Sequence, residues 1–414
     1  MLKFTHNDLF SLLITVGVML IFARLFAEIG KKFKLPVVMG EIIAGLVLGP
    51  TILGAVDPDI FSFLFPKEGG AKIALDGITS ISVIMLLFVA GLEIQLQLIL
   101  KQGKTAIYTS FTSMVIPFAL GFAAVWFIPQ WFNYKENHQL AYALFFGTAM
   151  AISAIPVIAK ILLDLNIYKT RVGQIIMASA IFDDLTGWLM FSLILSMIGK
   201  EGEITNIWYT ISMIMCFGLF MLFIGKKIID KALPWIQTKL TWPGGVLSIC
   251  LGLCFLSAAF TEKIGLHAIL GAFIMGIAFG DSVHLHEKAR EILHQFITNI
   301  FAPLFFVTLG LKVNFIQNFD LTLVTMVLFL AVFCKVMGAS LGAYLGGLTK
   351  RESLAVGFGM NARGAMEIIL GTLALDAGLI DEKMFVALVV MALITSLMSG
   401  PLMKRMLRHA PDKI

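Results

Sequence analysis

The chain has 414 residues, 59% of them hydrophobic and 14% charged, with a mean hydropathy of +0.93 and a formal net charge of +5. No water-soluble fold has the interior to hide that much apolar surface, which excludes a soluble enzyme and leaves a polytopic membrane protein. The positive balance calls for no nucleic acid, because anionic headgroups of the lipid bilayer are the natural neighbours of basic loops.

A helix needs ~20 apolar residues to cross a ~30 Å hydrocarbon core. Runs of that kind predict thirteen spans, at 8–30, 36–56, 77–100, 105–131, 139–163, 171–199, 205–230, 243–261, 264–280, 291–315, 321–348, 353–378 and 384–407. The first lacks a basic leader and a small-residue cleavage site, so it reads as a span and not a removable signal. The eighth and ninth are short, and the break at Glu262-Lys263 is the least secure boundary. Few residues follow the last span, and no soluble regulatory domain is expected.

Basic residues test the topology. With the N-terminus outside, 19 lysines and arginines fall on inner segments, among them Lys31, Lys34, Lys101, Lys169, Lys226, Lys350, Arg405, Arg408 and Lys413. Only 7 fall outside: Lys3, Lys67, Lys72, Lys135, Lys200, Lys263 and Lys383. That asymmetry obeys the positive-inside rule and predicts a cell-membrane protein with a cytoplasmic C-terminus.

The fourth to sixth and eleventh to thirteenth spans look like two versions of one design. The fifth carries AMAISAIPVIAKIL (149–162), with Ser153 and Pro156 in an otherwise apolar run; the twelfth carries GFGMNARGAMEIIL (357–370), with Asn361 and Gly364. Proline removes a backbone donor and glycine loosens the ladder, so both are expected to unwind at mid-membrane. Seven spans separate them, an odd number, so the second copy lies upside down. Interrupted helices at matching places in inverted halves point to a transporter's substrate site.

The charges fall in the same place. Asp183 and Asp184 lie midway along the sixth span, Lys335 midway along the eleventh and Arg363 midway along the twelfth. An ionisable group at that depth costs at least ~2.5–3.5 kcal/mol, which makes it a functional candidate. Arg363 and Glu367 are i, i+4 on one face and read either as part of this site or as mutually neutralising structural charges. Adjacent carboxylates on a helix point roughly 100° apart, so one lysine cannot serve both. Lys335 is expected to pair with one aspartate while the other takes a monovalent cation, helped by unwound carbonyls and the Ser153 hydroxyl. Burial disfavours a charged carboxylate and a nearby lysine favours it, so cation and proton compete for one site, as in an exchanger.

Several segments resemble the monovalent cation:proton antiporter superfamily, in its second group: LPVVMGEIIAGLVLGPTILG (35–54), LLFVAGLEIQL (86–96), GLHAILGAFIMGIAFG (265–280), FAPLFFVTLGLKVNF (301–315) and MNARGAMEIIL (360–370). The aspartate pair is similar to that of the bacterial sodium/proton branch, and FCKVMGASLGAYLGGL (333–348) resembles the helix carrying the family's embedded lysine. The resemblance implies an all-α fold of thirteen helices in an inverted repeat with two crossing interrupted helices, and a homodimer. It implies a dimer scaffold at 1–100 and 241–316, a moving core at 101–200 and 317–414, and a linking helix at 201–240. It implies Asp184 as the sodium ligand with Ser153 beside it, an Asp183–Lys335 pair that breaks on transport, and electrogenic sodium/proton exchange with no cofactor. Potassium/proton exchange on the same fold is the alternative, because potassium-efflux relatives commonly carry Gln-Asp and a soluble tail. A solute symporter, a channel and an intramembrane aspartyl protease suit the pattern less well; that protease places its carboxylates on separate helices.

Other polar residues have plainer readings. Cys250 and Cys254 are small packing residues, with no histidine or carboxylate beside them to make a metal site. Glu41 and Glu93, near inner span ends, are expected to be satisfied by water or loop lysines. Thr186 and Trp188 are packing, and His284 and His286 are solvated. His267 lies near the outer end of the ninth span.

Overall fold

A computed structural model describes residues 4–32, 37–94, 104–132, 139–168, 170–198, 207–264, 266–282 and 284–407. Among them all regular structure is helical. Lys3, Lys34, Lys101, Lys135, Lys169, Lys200, Arg408 and Lys413 of the topology count, and the ends of the 35–54 and 86–96 segments, lie outside the described residues.

In chain order the helices are α1 (His6–Lys32), α2 (Val37–Leu48), the short α3 (Leu53–Val56) and α4 (Pro58–Leu64), and α5 (Gly70–Glu93). They continue with α6 (Lys104–Phe127), α7 (Gln139–Ala151), α8 (Ile155–Asp164), α9 (Arg171–Ile198) and α10 (Ile207–Leu219). Then come α11 (Lys226–Lys239), α12 (Gly244–Lys263), α13 (Ala268–Gly280), α14 (Glu287–Phe296) and α15 (Ala302–Lys312). The last are α16 (Leu321–Leu345), α17 (Lys350–Met360), α18 (Ala365–Asp376) and α19 (Glu382–Leu407). Nine helical segments among the described residues are long and apolar enough to cross a membrane.

The departures from the expected spans have local causes. The second span runs from Val37 to Val56 but breaks after Leu48, where Gly49-Pro50 follows, and Asp57 then starts α4 by accepting the Ile60 N–H at 2.9 Å with Pro58 at the first helical position. The seventh continues past residue 230 to Lys239 through a π-helical stretch at Phe220–Gly225. The ninth starts only at Ala268, with the His267 side chain accepting from the Ile269 N–H at its N-terminus, and has 13 residues. The break after Glu262-Lys263 stands where expected.

Contacts divide the chain into two units. The first comprises Met1–Gln95 and Thr210–Asn318. Its helices meet at glycines: a Cβ at Gly91 would lie 2.2 Å from Phe273 O, one at Gly276 2.2 Å from Phe88 O, and one at Gly45 2.2 Å from Val307 O. α5 therefore touches α13, and α2 touches α15, backbone to backbone, as small residues allow in membrane helices. Met19, Ala23, Ala44, Leu48, Leu304 and Val307 fill the apolar interior between α1, α2 and α15.

The second unit comprises Leu96–Tyr209 and Phe319–Ile414. Here Gly338, Gly342 and Gly346 repeat at intervals of four along α16 and face α6. A Cβ at each would stand 2.7 Å from Thr112 O, 2.0 Å from Thr112 Oγ1 and 2.5 Å from Thr105 Cα. Asp320 caps the start of α16 through the Thr322 and Leu323 N–H groups at 3.0 and 3.1 Å, and Thr349 with Glu352 forms a capping box on α17.

Candidate functional site: a buried ion pair where two helices break

In the second unit the fifth expected span is two half-helices, α7 and α8, separated by non-helical Ile152–Ala154. The twelfth is likewise split, into α17 and α18, around Asn361–Gly364. The two breaks are bonded to each other. Ser153 Oγ donates to Met360 O at 2.7 Å, and the Ala154 N–H donates to Ala362 O at 2.9 Å. Backbone groups that each broken helix leaves over are thus partly satisfied by the other, the condition for irregular backbone at membrane depth. Pro156 falls in the first turn of α8, where a missing N–H does no harm; its side chain lies outside the described residues. At Gly364 a Cβ would stand 2.9 Å from Val157 Cγ2 and 3.2 Å from Ala154 Cβ, so glycine permits the close approach of the first break.

Asp183 and Asp184 sit near the middle of α9 and are 1% and 2% exposed. Lys335, from α16, is wholly buried with Nζ 2.5 Å from Asp183 Oδ2. Its other donors go to backbone: Ser113 O at 3.2 Å and Ala151 O. Ser113 Oγ lies 3.1 Å from Asp183 Oδ1, and Ser153 Oγ lies 3.3 Å from Asp183 Oδ2. Asp183 therefore has the ammonium and two hydroxyls around it, and Ser153 links it to the broken helices.

The C-terminus of α7 adds the second cation. The last carbonyls of a helix have no partner within it and carry partial negative charge. Arg363 Nη1 donates to Ala149 O and Nη2 to Met150 O at 2.7 Å, while Lys335 takes Ala151 O. Three consecutive carbonyls are thus held by two positive side chains from other helices. Arg363 Nη1 also meets Glu367 Oε1 at 2.9 Å, and Ser396 Oγ from α19 donates to Arg363 O. The i, i+4 pairing read from sequence is there, but Arg363 does more than neutralise Glu367.

Asn361 is wholly buried, and neither its Nδ2 nor its Oδ1 has a hydrogen-bond partner among the described residues. No group of three or more His, Cys, Asp or Glu side chains among the described residues could hold a metal ion.

Sequence reasoning missed Ser113. Its only signal is a hydroxyl in the middle of an apolar span, one turn before Pro117. Two carboxylates of the first unit lie in surroundings that the sequence did not show. Glu41 is 3% exposed, with Oε2 lacking a hydrogen-bond partner among the described residues. Glu93 pairs with His294 at 3.1 Å. Trp188 packs on Phe191, Thr186 Oγ1 donates to Phe182 O at 2.6 Å, and His284 and His286 are exposed.

Apolar helices of spanning length, with a buried ion pair between broken helices, define an integral membrane protein of the transporter class. The sequence model of the sodium/hydrogen exchanger transmembrane family matches residues 17–409, and the chain belongs to that family. It is an antiporter that exchanges monovalent cations for protons. It is 31% identical over 406 residues to the Na(+)/H(+) antiporter NhaS4 of Synechocystis, covering 96% of this chain and 97% of that one. It is 30% identical over 388 residues to K(+)/H(+) antiporter 1 of Saccharomyces cerevisiae, covering 90% of this chain but 43% of that one. It is 27% identical to the probable Na(+)/H(+) antiporter GerT of Bacillus cereus, over 94% of this chain and 97% of that one. The fold is shared with the sodium proton antiporter MjNhaP1 from Methanocaldococcus jannaschii, at 19% identity, with a TM-score of 0.66 over 97% of this chain and 99% of that one.

Proposed function

We propose that the cation is sodium, with lithium as a second substrate, and that it moves by alternating access in exchange for more than one proton. In this reading Asp184 is the cation ligand, Ser153 supplies a further oxygen, and the Asp183–Lys335 pair opens and closes as cation and protons replace each other. The observation that carries it is the wholly buried contact of 2.5 Å between Lys335 and Asp183, beside two broken helices. Lys335 keeps the Ser113 and Ala151 carbonyls when Asp183 takes a proton, so the lysine retains hydrogen-bond partners, though not its counter-charge, when the pair opens. Two carboxylates against one lysine favour an electrogenic cycle, and their titrations belong to the coupled group and not to single residues.

The reading extends to architecture. Thirteen spans form an inverted repeat in which α7/α8 and α17/α18 are the crossing interrupted pair. Residues 1–100 and 241–316 build a homodimer scaffold, 101–200 and 317–414 a moving core, and 201–240 the link, with the N-terminus outside and the C-terminus cytoplasmic. Sodium is favoured because the chain spans 97% of NhaS4 and 97% of GerT, both named for sodium. Potassium is the second reading, favoured by the similarity to the yeast protein named for potassium, of which the chain covers 43%.

Proteoliposomes with an imposed pH gradient test this. Sodium should collapse the gradient in wild type and not in Asp184→Asn. Collapse with potassium alone would keep the mechanism and change the ion; no response to any cation would sink both.

A further inference from the structure

Asn361 is a buried amide whose two ends have no hydrogen-bond partner among the described residues. An amide offers two acceptor sites and two donor hydrogens, and buried amides are ordinarily tied to backbone or to other side chains. The usual reasons for an asparagine at a helix end do not apply. Its φ of −79° and ψ of −3° are open to any residue, so no left-handed turn requires it. Its side chain caps neither α17 nor α18.

What distinguishes the position is its surroundings. The carbonyl before it, Met360 O, accepts from Ser153 Oγ, and the carbonyl after it, Ala362 O, accepts from the Ala154 N–H. Asn361 therefore stands between the two clasps that join the breaks, one hydrogen bond away from the hydroxyl that touches Asp183. A neutral oxygen donor there suits a partly dehydrated monovalent cation, which binds hard oxygens and needs few fixed charges.

We propose that Asn361 is a selectivity-determining residue, whose Oδ1 is an oxygen ligand for the transported cation at the crossing. This rests on the exchange reading given above and adds to it the group that ranks cations by size. A carboxylate attracts every small cation; an amide oxygen fixed by the backbone between two clasped strands sets how large a cation fits.

The test compares wild type with Asn361→Leu and Asn361→Gln in proteoliposomes, with sodium, lithium and potassium as separate probes. Size-exclusion profiles check that each variant is folded. For Asn361→Leu the half-saturating concentration of the preferred cation should rise at least about tenfold. Its ratio to the other two should change. Should Asn361→Leu not fold, Asn361→Gln carries the test, because a longer amide should shift preference among the three cations without removing exchange. Unchanged ratios in a folded variant would overturn the assignment, as would a fallen maximal rate with unchanged half-saturation, the mark of a purely structural amide. Wild type that responds to none of the cations overturns the exchange reading, whereas wild-type exchange with an indifferent Asn361 variant overturns only this one.

Discussion

The two units are closed by the same device around different contents. In the first, Gly91, Gly276 and Gly280 bring α5 and α13 together so tightly that any Cβ would meet a carbonyl; in the second, Gly338 and Gly342 do this for α6 and α16. The first unit's ion pairs are partly or largely exposed, as in His294 with Glu93 at side-chain exposures of 42% and 30%, or half-buried, as in Lys226 with Asp281. The second buries Asp183, Lys335, Arg363 and Glu367 almost completely, and spends the carbonyl end of α7 on two of them. Glycine seams hold membrane helices together in either unit; among the described residues, it is the second that gathers four buried charged side chains in one interior. Stability and chemistry are thus separable, and substitutions can pull them apart.

The largest expected effect comes from the charged interior. Asp183→Asn leaves Lys335 buried without its counter-charge, a loss of ~3–5 kcal/mol in a buried pair. Exchange should disappear and the unfolding midpoint in detergent should fall. Adding Lys335→Met to the same chain should recover much of the stability and none of the exchange. A double variant that transports would mean the pair is structural.

The seams should behave alike in both units. Gly342→Ala meets Thr112 Oγ1 and the Tyr108 carbonyl, and Gly91→Ala meets the Phe273 carbonyl. Overpacking of this kind costs ~1–3 kcal/mol, and thermal unfolding of the purified variants should show similar losses. A large difference between the two would contradict the idea of a shared device.

How much of this was legible beforehand depends on how local the signal is. Asp183, Asp184, Lys335 and Arg363 stood out because ionisable residues are rare in apolar runs, and Ser153 because it interrupts one. The Arg363–Glu367 pair was legible because i, i+4 spacing suffices. Ser113 was not, since a serine in a membrane helix is ordinary and its partner Asp183 lies 70 positions on. Nor could sequence show that Arg363 holds Ala149 and Met150, because every residue has a carbonyl and only the break at Ile152 makes those two available. Glu93 looked like an edge residue, and only the fold brings it to 3.1 Å from His294.

Ser113 gives a smaller, sharper probe of the charged interior. Ser113→Ala removes a hydroxyl 3.1 Å from Asp183 but keeps the Ser113 carbonyl that Lys335 uses. A bond to a charged group is worth ~1.5–3 kcal/mol, partly recovered here because Ser153 and Lys335 remain. The expected outcome is a several-fold rise in half-saturating cation with folding intact. An unaltered concentration dependence would mean that Lys335 alone orders the carboxylate.

Glu41 should give the smallest effect, and it bears most directly on the contrast between the units. It is a carboxylate buried in the first unit, 3% exposed on α2, with Oε2 not hydrogen-bonded among the described residues. An ionised carboxylate so placed is costly to keep, whereas a neutral amide of the same shape carries no charge penalty. Glu41→Gln should therefore leave the unfolding midpoint unchanged or slightly raised, with cation-dependent collapse of the pH gradient intact. If the first unit is packing alone, nothing about exchange depends on that charge. Loss of exchange in a folded Glu41→Gln protein would show that a carboxylate outside the charged unit takes part in the cycle, and the division drawn between the units would fail.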